Sequence, residues 1–183
     1  MKNIIICGPS AAGKDTVARF LLPVLNKENK NFHLVISNTT RPKRVNERQD
    51  IDYHFCSTHL EFDNYDYLEQ TVFRGWRYGV PLQNIKKDAN NILILNPDGV
   101  KIALEKLDNC MIVYLHSNFF TRLIRSIKRE RRFRFEMLRR GITDSIDFKK
   151  FEKFCNKNNI IYYKIKNFNT VYTACLIHYY LTF

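Results

Sequence analysis

The chain has 183 residues, 45% of them hydrophobic and 14% aromatic, which is enough for one domain with a sizeable core and excludes a disordered chain. No apolar run approaches the roughly 20 residues of a membrane span, and the opening MKNIIIC is too short for a signal-peptide core. Five scattered cysteines, at 7, 56, 110, 155 and 175, do not suggest a disulfide framework, and no CxxC pair suggests zinc. A reducing, cytoplasmic setting is expected. The net charge of +12 asks for a polyanionic partner without choosing one.

In chain order, strands alternate with helices. Ile4–Cys7 reads as a buried strand, 14–25 as a helix with inward Val17, Phe20, Leu21 and Val24, and 34–36 as a second strand. Residues 38–57 are polar and lack helical period. Strands follow at 92–95, 111–115 and 160–165, with helices at 100–107, 119–138 and 171–181. Such alternation predicts a parallel sheet covered on both faces.

Residues 8–16 read GPSAAGKDT. Two glycines, a lysine and a strand-to-helix context spell a phosphate-cradling loop, in which backbone N–H groups and the helix N-terminus face an anion. Gly8, Pro9, Ser10, Ala11, Ala12, Gly13 and Lys14 form it. A Ser or Thr is expected after the lysine, but Asp15 stands there, with Thr16 following. Two readings are open for Asp15: a place in the outer shell of Mg²⁺, or a favourable acid at a helix start.

A second cluster reads SNTTRPKRVNERQDIDYHF over 37–55. Arg41 and Arg44 suit a phosphate, Glu47 suits a proton-donating base edge, and Tyr53 offers a hydroxyl. Glu69 and Tyr78-Gly79 follow, nine apart.

Together these motifs resemble guanylate kinase, a P-loop nucleoside monophosphate kinase. Ser37, Thr39, Thr40, Arg41, Arg44, Glu47, Asp52, Tyr53, Phe55, Glu69, Tyr78 and Gly79 stand in matching register. The resemblance covers about 1–115 well and returns at Lys164–Asn167. It implies an α/β fold of P-loop NTPase type, three-layered, with a five-stranded parallel sheet. One domain over 1–183 would comprise a core (1–37 and 89–183), a monophosphate-binding insert (38–88) and an arginine-rich lid (about 129–147). Lys14 and the loop amides, with Asp15, Thr16 and Asn167, would hold ATP with Mg²⁺. Arg41, Arg44, Tyr53 and Tyr78 would grip the acceptor phosphate, and Ser37, Glu47 and Glu69 would face guanine. The implied partners are ATP and GMP or dGMP, for a monomer or homodimer, with neither membrane nor nucleic acid expected.

Nine Lys or Arg residues lie between Arg122 and Arg140. Arg129, Arg132 and Arg140 are the expected catalytic lid arginines, and Phe133 and Phe135, at helical spacing, read as core. One departure stands out. The family carries an acidic pair on its third strand, where this chain has Ile94 and Asn96. Ribose bisphosphate phosphokinases, which look similar, tend to share the Asp after the lysine and the Asn on this strand. They are the alternative reading, together with a catalytically silent binding module.

Overall fold

A computed structural model describes residues 2–28, 30–73, 75–130 and 135–182. Strand β1 (Asn3–Cys7) is buried along its whole length. It lies between β7 (Asn90–Ile94) and β8 (Cys110–His116), with β2 (Phe32–Leu34) and β9 (Tyr162–Lys166) outside them. All pairings in this five-stranded sheet are parallel. Side chains on successive strand residues point to opposite faces, so β1 feeds two cores. Ile4 and Ile6 pack with Val17, Leu21 and Leu25 of α1 (Lys14–Asn26) and Ala174 and Ile177 of α6 (Thr170–Thr182). Ile5 and Cys7 pack with Val100 and Ala103 of α3 (Pro97–Lys106) and Phe148 and Phe151 of α5 (Phe135–Lys157). Helices on both faces make three layers.

A second sheet, in the order β4-β3-β6-β5, is built from β3 (Asn38–Thr39), β4 (His54–Phe55), β5 (Tyr67–Phe73) and β6 (Trp76–Pro81). Helix α2 (His59–Asp63) is capped by Thr58, whose hydroxyl accepts from Glu61 N. This small sheet falls inside the segment expected as the insert. It joins the core through α3, where Lys106 Nζ donates to Leu68 O at 3.0 Å.

Three expectations change. The inward stripe of α1 is Val17, Ala18, Leu21 and Leu25, while Phe20 is 45% exposed. The basic segment is not one helix over 119–138: α4 (Phe119–Glu130) and α5 are separate, and residues 131–134 between them lie outside the described set. The two helices pack on each other where Gly141 meets the Phe119 ring, and a Cβ there would stand 2.4 Å from Phe119 Cε2. Phe135 is exposed, not core.

Candidate active site

The loop after β1 lies at the carboxyl end of the parallel strands, where open α/β sheets bind ligands. Its shape depends on glycine. Gly8 has φ +151°, and a Cβ there would be 2.1 Å from Leu115 O; Gly13 has φ +94°, and a Cβ would be 2.5 Å from Asn167 Nδ2. Lys14 Nζ donates to Gly8 O at 2.8 Å and Pro9 O at 3.3 Å, so its ammonium is folded back over the loop. Burial lowers its proton affinity, and the nearby Asp15 and Asp144 carboxylates partly offset this.

The side chain of Asp144, on α5, occupies part of this cradle. Ser10 N donates to Asp144 Oδ2 at 2.7 Å, and Arg122 Nη1 stands 3.6 Å from the same oxygen. A carboxylate thus takes a loop amide that a phosphate oxygen would take. Arg125 ties the loop from behind, with Nη1 3.4 Å from both Ala11 O and Ala12 O and Nη2 3.3 Å from Asn167 O. Sequence reasoning placed Arg122 and Arg125 in the basic segment but gave them no task, and Asp144 carried no motif signal.

Asn167, expected to help hold ATP, is 3% exposed and committed internally. Its Nδ2 donates to Ala12 O at 2.7 Å and its Oδ1 accepts from Thr173 Oγ1 at 3.1 Å. It buttresses the loop. Arg140 lies close enough to Lys14 to depress its proton affinity, whereas Arg129 is exposed on α4. Arg132 lies outside the described residues.

Across the cleft, Arg41 and Glu47 form a bidentate pair at 2.8 and 2.9 Å. Glu47 also accepts from Arg44 N at 2.9 Å and Arg44 Nη1 at 3.1 Å. Its oxygens are therefore engaged by the arginines and not turned to a base; Glu47 orients the pair expected to hold a phosphate. Burial alone would lower the Arg41 proton affinity, but the Glu47 hydrogen bonds raise it overall. The Arg41 guanidinium sits 5.5 Å from the Tyr53 ring centroid, and Tyr53 packs edge-on to Tyr78. Burial, then the Asp15 carboxylate, pushes the Tyr53 hydroxyl well above its usual range, so it stays a neutral donor. Asp52 is held by Arg19 and by Arg48 N.

The floor of the cleft gathers Asp15, Ser37, Tyr53 and Ile94. Asp15 thus shares a cavity with the apolar residue that replaces the first strand acid. The second replacement, Asn96, caps α3: its Oδ1 accepts from Gly99 N at 2.7 Å. That bond fixes the amide orientation and leaves Nδ2 as a donor with no partner among the described residues. Asp98 is solvent-facing and paired with Lys101, so it does not substitute for the lost acids.

Glu69, on β5, is 8% exposed, and no hydrogen bond or ion pair reaches its carboxyl among the described residues. Burial alone pushes its proton affinity up to about 7. Gly99 lies against both groups: a Cβ there would stand 3.1 Å from Glu69 Cδ and 3.2 Å from Asn96 Oδ1. A buried carboxyl and an amide whose N–H has no partner among the described residues therefore both lie against Gly99.

Residues 1–147 match the family model for guanylate kinase. The chain belongs to the guanylate kinase family. It is 36% identical over 121 residues to a guanylate kinase of Prochlorococcus marinus subsp. pastoris, covering 62% of this chain and 64% of that one. With a guanylate kinase of Malacoplasma penetrans the identity is 33% over 144 residues, covering 73% and 69%. The chain spans less than two thirds of the length of several curated relatives it matches: 64%, 37% and 53% for those from Prochlorococcus marinus, Agrobacterium fabrum and Clostridium perfringens. A crystal structure of guanylate kinase from Anaplasma phagocytophilum superposes with a TM-score of 0.69 at 21% identity, over 99% of this chain and 84% of that one, which supports the P-loop fold. Among the described residues no helix is long and apolar enough to cross a membrane.

Proposed function

We propose that the chain transfers the γ-phosphoryl group of ATP to a nucleoside monophosphate, with GMP or dGMP as acceptor. The observation that carries this reading is a buried Glu69 carboxyl, without a partner among the described residues, in a chain that also holds a phosphate loop. An isolated buried carboxyl is costly unless a ligand satisfies it. Guanine offers adjacent N–H donors, whereas adenine lacks that donor pair and a phosphosugar has no base at all. Glu69 thus favours a nucleotide over the ribose bisphosphate alternative.

The geometry supports the following division of roles. The loop amides and Lys14 hold the phosphates of ATP. Arg41 and Arg44, pre-aimed by Glu47, hold the acceptor phosphate with the Tyr53 and Tyr78 hydroxyls. That phosphate is itself the nucleophile, so no general base is required, and catalysis is positioning plus charge stabilisation. Arg140, whose charge is felt at Lys14, balances charge on the transferring group. Asp15 and Thr16 offer a carboxylate and a hydroxyl at the exposed start of α1, hard oxygen donors of the kind that suit Mg²⁺. When bound, Mg²⁺ supplies neutralisation of the phosphate charge. The insert over 38–88 and the segment about 129–147 are the parts expected to close and exclude water.

A coupled ADP-release assay tests this directly, with GMP, dGMP, AMP, CMP, UMP, dTMP and ribose 1,5-bisphosphate offered in parallel. Turnover confined to GMP and dGMP is expected. Turnover with the sugar phosphate alone would move the chain to the alternative chemistry. ATP binding without turnover on any acceptor would leave a silent nucleotide-binding module.

A further inference from the structure

On the insert, away from the phosphate loop, His54, Cys56 and Glu61 bring three different ligand atoms together. The ring nitrogen, the Sγ and a carboxylate oxygen all lie within 4.8 Å of one another. Cys56 is buried and its backbone is anchored, with Cys56 N donating to Thr39 O at 2.9 Å. Glu61 is held by the start of α2, where its Oε2 accepts from Ser57 N at 2.7 Å. That leaves Oε1 facing His54 Nε2 at 3.2 Å.

The histidine is set up as metal-ligating histidines usually are. Its Nδ1 lies 2.6 Å from Asp50 Oδ1, an outer carboxylate that fixes the ring and directs Nε2 at the cluster. Carboxylates thus flank both ring nitrogens, and a neutral imidazole has one N–H to give. A divalent cation on the Nε2 side would use nitrogen, sulfur and oxygen at once, which is the chemistry these three converging atoms offer. Tyr65 OH, 3.3 Å from Nε2, or a water completes four positions. The spacing is His-x-Cys-x4-Glu, which no CxxC search would find.

We propose that His54 Nε2, Cys56 Sγ and Glu61 Oε1 form a tetrahedral site for a zinc-class divalent cation, with Asp50 as the orienting outer carboxylate. The thiolate and imidazole donors select Zn²⁺ over Mg²⁺, which prefers oxygen. On binding, the Cys56 S–H bond breaks, its proton leaves to solvent and a metal–sulfur bond forms. Burial, then the Glu61 charge, pushes the free thiol up to about 11, so the proton leaves only when the metal arrives. The cation ties β4 to α2 and stiffens the wall that carries Tyr53 and Phe55.

Co²⁺ titration of chelator-treated protein tests this. One equivalent should bind with a thiolate-to-cobalt charge-transfer band and the visible bands of a tetrahedral centre, and Zn²⁺ should displace it. The band should vanish in Cys56→Ser and persist in Cys175→Ser, which alters an exposed thiol. Asp50→Asn should keep the band but weaken Zn²⁺ affinity by about 10- to 100-fold. If Cys56→Ser does not fold, His54→Gln and Glu61→Gln, checked by circular dichroism, must each weaken binding. Absence of binding, Co²⁺ bound without a thiolate band, a band that survives Cys56→Ser, or unchanged affinity in folded His54→Gln and Glu61→Gln would each overturn the assignment.

Discussion

The two ends of the cleft treat their polar groups in opposite ways. At the phosphate loop three polar groups already have partners within the chain: Lys14 on two carbonyls, Ser10 N on Asp144, and Asn167 on Ala12. At the proposed base end Glu69 is buried with none among the described residues. On the proposed reading the phosphate end is an exchange site, where a ligand would replace contacts of similar kind, and the base end a deficit, where a ligand would remove a desolvation cost already present. Binding energy at the two ends should therefore respond differently to mutation and pH.

The largest effect is expected where no exchange partner can take over. Lys14→Met removes the ammonium proposed to hold the ATP phosphates, and kcat should fall about 10²- to 10³-fold with the fold intact. A kcat within a factor of three of the parent would remove Lys14 from the chemistry. Next is Arg41→Ala. It takes away a bidentate partner and leaves Glu47 on Arg44 alone, so the KM for the monophosphate should rise and stability should fall by about 2 kcal/mol. Arg41→Lys should not rescue it, because an ammonium cannot reproduce the fork. Steady-state kinetics with each substrate varied, alongside urea unfolding, separates the two losses.

The same contrast explains what the sequence made legible. Phosphate recognition is local: glycines, a lysine and a strand-to-helix turn lie within nine residues, so Gly8–Thr16 could be read as a motif. The alternation of strands and helices, including β1, β7 and β8, was equally local. Glu47 was legible as a site residue but not in its partner, because residue type does not say whether a carboxylate faces a base or an arginine six residues back. Asp144 was invisible: its contact with Ser10 spans most of the chain and depends on how α5 folds back on α4. The break between those helices was missed because a run rich in Lys and Arg keeps helical spacing across it.

The base end should show itself in pH. The Glu69 carboxyl holds its proton to about 7 when folded, against 4.5 as a model group. Its contribution is fully present below about 4.5 and is lost as pH rises through about 7, a change of at most about 3 kcal/mol. Chemical denaturation of the ligand-free protein across that range should show this decline, and Glu69→Gln should flatten it. A slope unchanged in Glu69→Gln would place its source elsewhere. A base donating N–H groups favours the ionised carboxyl, so GMP should bind more tightly as pH rises through the same window.

A smaller effect is expected at Asn96. Its amide lies with Glu69 against Gly99 and, if it faces the base, offers an Nδ2 donor suited to the carbonyl shared by guanine and hypoxanthine rather than to the 2-amino group. Asn96→Asp keeps an oxygen for the Gly99 cap and converts the donor to an acceptor. The ratio of kcat/KM for GMP over IMP should rise several-fold, by about 1 kcal/mol. An unchanged ratio would mean that the 2-amino group never approaches this side chain.

An effect of similar size tests the exchange end. If Asp144 stands in for a phosphate oxygen, ATP must displace it from Ser10 N before the loop can close on the nucleotide. The carboxylate then loses one hydrogen bond, keeps its pairing with Arg122, and faces incoming negative charge. Asp144→Asn keeps an acceptor for Ser10 N but removes the charge, so ATP should bind about three- to tenfold more tightly, with most of the change in the association rate. Asp144→Ala should go further in affinity but lose stability, because Arg122 is buried and its charge would be left unpaired. Calorimetric ATP binding at two ionic strengths distinguishes the cases. A gain that shrinks with salt identifies charge repulsion, whereas weaker ATP binding in both variants would make Asp144 a helper of the bound nucleotide rather than its competitor.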